Sequence, residues 1–274
     1  MLACAASAEP LRSADDPGRE VALPRPAQRI VALAPNLTEL VFAAGAGERL
    51  VGVSAYSDYP AAARKLPQVG SYGKADRERL LQLRPDLIVA WRGGNSAGDI
   101  AFLETLGIPL YITETHRLDD IARHIEAIGQ LAGTVPQAHR AAAAFRNELR
   151  EIENRYRNAR PVRVFYQIWH RPLMTVNGRH PLGEVIRLCG GDNPYAALSA
   201  PTPTVSLESL LAADPAVIVV NGNPGYWQHH PQLEAVRRNR LYAIDPDLLL
   251  RATPRLLEGA RQLCAVLEQA RRQP

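Results

Sequence analysis

Thr134-Val-Pro-Gln-Ala-His-Arg-Ala-Ala-Ala-Ala-Phe145-Arg-Asn-Glu-Leu149-Arg-Glu-Ile152-Glu-Asn-Arg-Tyr156-Arg-Asn-Ala-Arg160 is the stretch on which the reading of this chain turns. Phe145, Leu149, Ile152 and Tyr156 recur at spacings of four, three and four, on one face of a helix with 3.6 residues per turn. Ala141 to Ala144 are strong helix formers, Pro136 suits a first turn where its missing N–H costs nothing, and Pro161 is the stop. About 23 helical residues rise roughly 34 Å, the width of a small domain. Periodicity alone fits a surface helix of one domain as well as a strut between two.

The flanks favour the strut. Before it, short apolar runs at Arg29–Ala34, Leu50–Val53, Leu87–Trp91 and Pro109–Thr113 alternate with helical segments at 38–44, 77–83, 100–106 and 119–131. After it, strands are predicted at 162–169, 174–176 and 217–220, and helices at 182–188 and 253–271. Such alternation predicts parallel α/β sheets. Glu208-Ser-Leu-Leu-Ala-Ala-Asp214-Pro-Ala-Val-Ile-Val-Val220 echoes Glu78-Arg-Leu-Leu-Gln-Leu-Arg-Pro-Asp86-Leu-Ile-Val-Ala90, once on each side of the long helix. The predicted fold is therefore α/β, with two similar Rossmann-like lobes joined by a single long helix. The boundaries read as a flexible leader over 1–27, an N-terminal lobe over 28–133, a linking helix over 134–160 and a C-terminal lobe over 161–274.

Composition narrows the function. At 46% hydrophobic and 22% charged residues the 274-residue chain is ordinary globular material. Its net charge of +4 is spread over dispersed Arg, with no basic run interleaved with aromatics, which argues against nucleic-acid binding. No stretch approaches the roughly 18 apolar residues needed to span a bilayer. Leu2-Ala3-Cys4 looks like the end of a bacterial lipoprotein signal, without the basic and apolar regions that should precede it, so a lipid anchor through Cys4 stays open. Cys189 and Cys264 sit in apolar helical contexts, and whether they are bonded or are two buried thiols depends on export.

Two chemistries are weak here. Gly94-Asn-Ser96-Ala-Gly98 fits the G-x-S-x-G of serine hydrolases, but Arg92 to Asn95 separate the strand from the Ser, and no oxyanion segment lies upstream. The His are scattered apart from His229-His230, an adjacent pair that does not suit one metal, so neither metal nor cofactor is expected. What remains is a set of aromatics at strand ends, namely Tyr56, Tyr59, Tyr72, Trp91, Trp169, Tyr226 and Trp227, where open α/β sheets bind ligands. Gly93 and Gly94 beside Trp91 read as letting backbone approach a ligand closely.

At these residues the sequence resembles the cobalamin-binding proteins of ABC importers, in the helix-linked class of periplasmic substrate-binding proteins. The matching segments are Pro35 with Thr38-Glu39, Val51-Gly-Val-Ser-Ala-Tyr56-Ser-Asp-Tyr-Pro60, Pro85-Asp-Leu-Ile-Val-Ala-Trp-Arg-Gly-Gly-Asn95, Leu188-Cys-Gly-Gly-Asp-Asn193 and Arg251-Ala-Thr-Pro-Arg255. The resemblance implies a non-enzymatic periplasmic protein that is monomeric when free. It would hold cobalamin or a related corrinoid in a cleft between lobes and deliver it to a dimeric permease. It implies ligand contacts among Pro35, Tyr56, Tyr72, Trp91, Arg92, Gly93, Trp169, Trp227, Asp247 and Arg251, permease docking through Glu78 and Glu208, and a disulfide from Cys189 to Cys264. Tyr72 stands where the family often has Trp, and Trp169-His170 replaces smaller residues. A broad aromatic wall suits a bulky ligand with apolar edges; a siderophore would call for clustered Arg or Lys, and heme for an axial ligand such as Tyr56 or His170. Heme- or siderophore-binding proteins of the same class are the alternative, with a serine hydrolase more distant.

Overall fold

The structure, a computed structural model, describes residues 10–71 and 73–273. The elements run β1 (Leu11–Ala14), β2 (Glu20–Leu23), β3 (Ile30–Ala32), α1 (Pro35–Ala43), β4 (Leu50–Val53), β5 (Gly70–Ser71), β6 (Lys74–Ala75), α2 (Arg77–Gln82), β7 (Leu87–Trp91), α3 (Ala97–Glu104), β8 (Leu110–Thr113), α4 (Leu118–Ala132) and α5 (Val135–Tyr156). They continue with β9 (Val162–Gln167), α6 (Pro181–Leu188), β10 (Gly191–Asp192), α7 (Leu207–Ala213), β11 (Val217–Val220), α8 (Glu234–Arg237), β12 (Leu241–Ala243), α9 (Pro246–Leu249) and α10 (Leu256–Arg272). The chain forms two compact units. The first reaches Glu114 and resumes over Asp120–Ala144; the second comprises Thr115–Asp119 and the chain from Phe145 onward.

Each unit is built on a four-stranded sheet, in the order β4-β3-β7-β8 in the first and β10-β9-β11-β12 in the second, parallel throughout. The orders correspond strand for strand, so the echo around Glu78 and Glu208 extends to topology. Ser-Leu-Leu and Arg-Leu-Leu occupy matching turns of α7 and α2, where Leu210 and Leu80 are both fully buried. Each helix gives way to a left-handed residue, Arg84 (φ 44°) and Asp214 (φ 39°), which reverses the chain into the next strand. Strands covered on both faces must be apolar along their whole length, and Leu87-Ile-Val-Ala90 and Val217-Ile-Val-Val220 are fully buried accordingly.

The long helix is shorter than predicted. It spans Val135–Tyr156, because the N–H of Ala159 closes a turn on the Tyr156 carbonyl before Pro161 is reached. Its buried stripe is Ala138, Ala142, Phe145, Ile152 and Tyr156, and the boundary between the units falls inside it. Gly133, at φ 67°, turns the chain from α4 into α5; a Cβ there would meet Pro26 at 2.8 Å.

Composition predicted a flexible leader over 1–27, and the described part of it is not one. β1 and β2 form an antiparallel hairpin that buries Val21 and Leu23. At its turn Asp16 donates its N–H to the Ile112 carbonyl (3.1 Å) and pairs with Arg123 at 2.6 Å. Alternating residues of low hydrophobicity hid this short pairing. Cys4 lies outside the described residues. Met174-Thr-Val176, predicted as a strand, makes only isolated bridges from Met174 to Trp169 and Thr204. Among the described residues no helix is long and apolar enough to cross a membrane.

Candidate functional site

In the first unit three candidate residues sit at the carboxyl ends of parallel strands. Pro35 opens α1 directly after β3, and α1 then places Thr38 where its hydroxyl donates to Ser57 Oγ at 3.0 Å, with Ser54 Oγ a further 3.2 Å on. This hydroxyl chain pins the turn after β4, in which Tyr56 adopts φ 65°. A bulky residue in left-handed geometry is strained, and it persists only where its surroundings over-determine it. Here they do: Ala55 donates to the Gly70 carbonyl and Ser57 to the Ser54 carbonyl. The result is a ring left 58% exposed.

Trp91 ends β7 and heads a tight turn. Its N–H donates to Asn95 Oδ1 at 2.8 Å, and the Gly94 and Asn95 N–H groups both donate back to its carbonyl. A Cβ on Gly94 would lie 2.0 Å from the indole and one on Gly93 3.1 Å from it. The two glycines thus make room for Trp91 over its own turn, a packing reason for glycine at both positions. Arg92 donates its N–H to the Thr113 carbonyl and holds its guanidinium 3.9 Å from the Glu114 carboxylate. Ser96, the would-be nucleophile, caps α3: its Oγ accepts the Asp99 N–H at 3.1 Å. Tyr72 lies outside the described residues.

The second unit carries its candidates at the ends of β9, β11 and β12. Trp169 is 59% exposed, and its indole N–H is spent on the Arg171 carbonyl at 2.9 Å. His170 packs edge-on against Tyr226, with ring centroids 4.1 Å apart. Gln167, Ile168, Trp169, His170, Arg171 and Asn221 line a cavity of 370 Å³. Trp227 does not belong to this wall. It is 1% exposed, packs against Phe165, and donates its Nε1–H to Gln167 Oε1 at 2.8 Å. The 3-10 turn at Pro224–His229 rolls it inward and leaves its neighbour Tyr226 at the surface. Asp247 and Arg251 form an ion pair at 2.9 Å one turn apart. A larger groove of 540 Å³ runs between α5 and α10, lined by residues such as Glu151, Arg155, Arg261 and Glu268, and contains none of the candidate ligand residues.

Glu78 and Glu208 are exposed at the same position, the second residue of α2 and of α7, following the caps Asp76 and Ser206. The Glu208 carboxylate is held below its usual range by its own N–H and the Ser206 hydroxyl. Cys189 and Cys264 are fully buried and bonded, joining the end of α6 to α10. Among the described residues no group of three or more His, Cys, Asp or Glu could hold a metal.

Parallel sheets whose carboxyl ends present exposed aromatics, repeated in two units, are the frame of a solute-capturing protein. The chain belongs to the periplasmic binding protein family, whose profile matches residues 30–248. It is 39% identical over 260 residues to a vitamin B12-binding protein of Vibrio cholerae serotype O1, covering 92% of this chain and 94% of that protein. A vitamin B12-binding protein of Yersinia pestis is 41% identical over 245 residues, 87% of this chain and 85% of its own. Among solved structures, the periplasmic vitamin B12-binding protein BtuF of Vibrio cholerae superposes with a TM-score of 0.84 at 38% identity, covering 89% of this chain and 98% of that one. The heme-binding protein RhuT of Roseiflexus superposes with a TM-score of 0.80 at 25% identity, covering 89% and 99%. These relatives are binding proteins.

Proposed function

We propose that this protein captures cobalamin or a closely related corrinoid in the periplasm and hands it to the dimeric membrane permease of an ABC importer, without catalysis. The observation that carries the reading is the placement of Tyr56, Trp91 and Trp169. All three follow strand carboxyl ends and retain accessible ring area in a chain 39% identical, nearly end to end, to a vitamin B12-binding protein. Large flat rings suit a ligand that is broad and apolar at its edges. Pro35 opens α1 after β3, Arg92 follows Trp91 in the chain, and the Asp247–Arg251 ion pair offers polar groups in the second unit. The buried disulfide fits an oxidising compartment. Exposed Glu78 and Glu208 at matching helix positions fit a permease with two equivalent halves, each offering a cation to one carboxylate. Ser96 is committed to its helix cap, which supports a binding role over hydrolysis.

Heme is the second reading, favoured by the RhuT likeness and by an imidazole, His170, beside the cavity of the second unit. Calorimetric titration with cyanocobalamin, cobinamide and heme side by side is the test. Tight binding of cyanocobalamin with weak heme binding is expected; heme binding without corrinoid binding would overturn the proposal. Labelling of the chain by a fluorophosphonate probe would overturn its non-catalytic part.

A further inference from the structure

Asp99 is the third residue of α3 and only 6% exposed. Its N–H bond to Ser96 Oγ is the first half of a capping box, whose second half would have the acidic side chain reach back to the Ser96 N–H. That half is not made. The Ser96 N–H donates instead to the Gly73 carbonyl at 3.0 Å, and the Asp99 carboxylate turns the other way. One oxygen accepts the Ala75 N–H at 3.0 Å; the other accepts Arg77 through Nη2 at 3.1 Å and Nε at 3.3 Å. The Arg77 guanidinium also lies 4.2 Å over the Phe102 ring of α3. Gly73 touches the Trp91 turn directly, since a Cβ on it would stand 2.2 Å from the Gly94 carbonyl oxygen. Burial by itself would raise the Asp99 pKa, but the Ala75 N–H, Arg77 and the Ser96 hydroxyl together hold it below the usual carboxylate value.

Asp99 therefore gathers the end of the Trp91 turn through its N–H, and the β5–β6 hairpin and the first residue of α2 through its buried carboxylate. The last link matters because α2 has six residues, too few to be stable without tertiary support. We infer that Asp99 is a positioning residue that couples the Trp91 turn to α2, so that a ligand resting on Trp91 stiffens the helix that presents Glu78. This rests on the capture and docking reading above.

Hydrogen exchange of the full chain, with and without cyanocobalamin, tests it in the parent, in Asp99→Asn and in Ile218→Val, a core change in the second unit that lowers stability away from the site. In the parent, ligand is expected to slow exchange over Arg77–Gln82. In Asp99→Asn that slowing disappears and cyanocobalamin binds about tenfold more weakly, as loss of a charged buried hydrogen bond predicts; Ile218→Val keeps both. Retention of ligand-dependent slowing in Asp99→Asn, or losses no greater than those of Ile218→Val, would overturn the inference. If the parent does not bind cyanocobalamin, the capture reading falls and the ligand-free chains decide: faster exchange over residues 73–82 in Asp99→Asn supports the positioning role, and unchanged exchange there overturns it.

Discussion

Asn95 grips Trp91 twice across one turn, accepting the Trp91 N–H on its side-chain oxygen and donating its own N–H back to the Trp91 carbonyl, both at 2.8 Å. Its amide nitrogen reaches further, to the Leu33 carbonyl at 2.9 Å, and so ties the turn to the end of β3. Asn95→Asp keeps the acceptor for Trp91 but sets a carboxylate oxygen against the Leu33 carbonyl. Denaturation should show a loss of about 1 to 3 kcal/mol, the cost of an unmet buried group. Unchanged stability would show that the turn is held by its backbone alone.

The tryptophans separate by role. Trp169→Ala should leave stability within about 0.5 kcal/mol, because the ring is largely exposed. It should lower cobalamin affinity roughly 5- to 150-fold, as lost stacking and area of about 1 to 3 kcal/mol imply. Trp91→Ala should lower affinity by a similar factor. Trp227→Ala should cost about 3 to 5 kcal/mol of stability and leave the affinity of the folded fraction intact. Calorimetry and thermal denaturation on the same samples decide; equal affinity losses for Trp169→Ala and Trp227→Ala would contradict this division.

The Cys189–Cys264 bond spans a sequence separation of 75 and lies wholly within the second unit. Replacing both residues by Ala should cost about 4 kcal/mol on the chain-entropy account. Because both sulfurs are buried, a mild reductant should leave the native bond intact and act only once denaturant opens the unit. Thiol labelling of native protein under such a reductant would count against this.

One buried histidine, His124, and one half-buried, His180, set an acid limit. His124 accepts from or donates to the Tyr111 hydroxyl at 3.0 Å, with Asp16 3.3 Å from its other nitrogen, and burial pulls its pKa down to about 4 despite that carboxylate, which Arg123 already engages. His180, whose Nδ1 accepts the Leu182 N–H as the cap of α6, is lowered by burial to about 4 as well. The unfolded chain takes up these protons near pH 6.5 and the native chain only near 4. Stability should therefore be insensitive to these groups above about pH 6.5 and fall as pH drops from there toward 4, by about 1.4 kcal/mol per pH unit for each histidine. His180→Asn keeps a cap acceptor and should roughly halve that slope; an unchanged slope would remove His180 from the account.

The α/β alternation and the echo around Glu78 and Glu208 were legible because strands buried on both faces must be apolar throughout, and each helix before them needs a cap and a turn. The hairpin at Leu11–Leu23, the two-residue β10 and the short β12 were not, since pairings of a few residues carry too little periodicity. Trp227 was placed in the ligand wall because position after a strand does not tell which way a following 3-10 turn rolls a side chain. Asp99 was also missed. Its signal was in the sequence as Ser96-x-x-Asp99, a helix-start pattern hidden by reading the same Ser as part of G-x-S-x-G.

Trp169 has no donor left to offer, because its indole N–H is bound to the Arg171 carbonyl. In the proposed capture role its exposed face would not test what a visiting molecule carries at its edge; it would reward any wide flat surface by area alone. Discrimination must then reside in its polar surroundings, where an unmet donor or acceptor penalises the wrong guest far more than a missing methylene does. If Trp169 serves as proposed, a lineage could retain this platform and change its diet by altering neighbours such as His170 or Asn221.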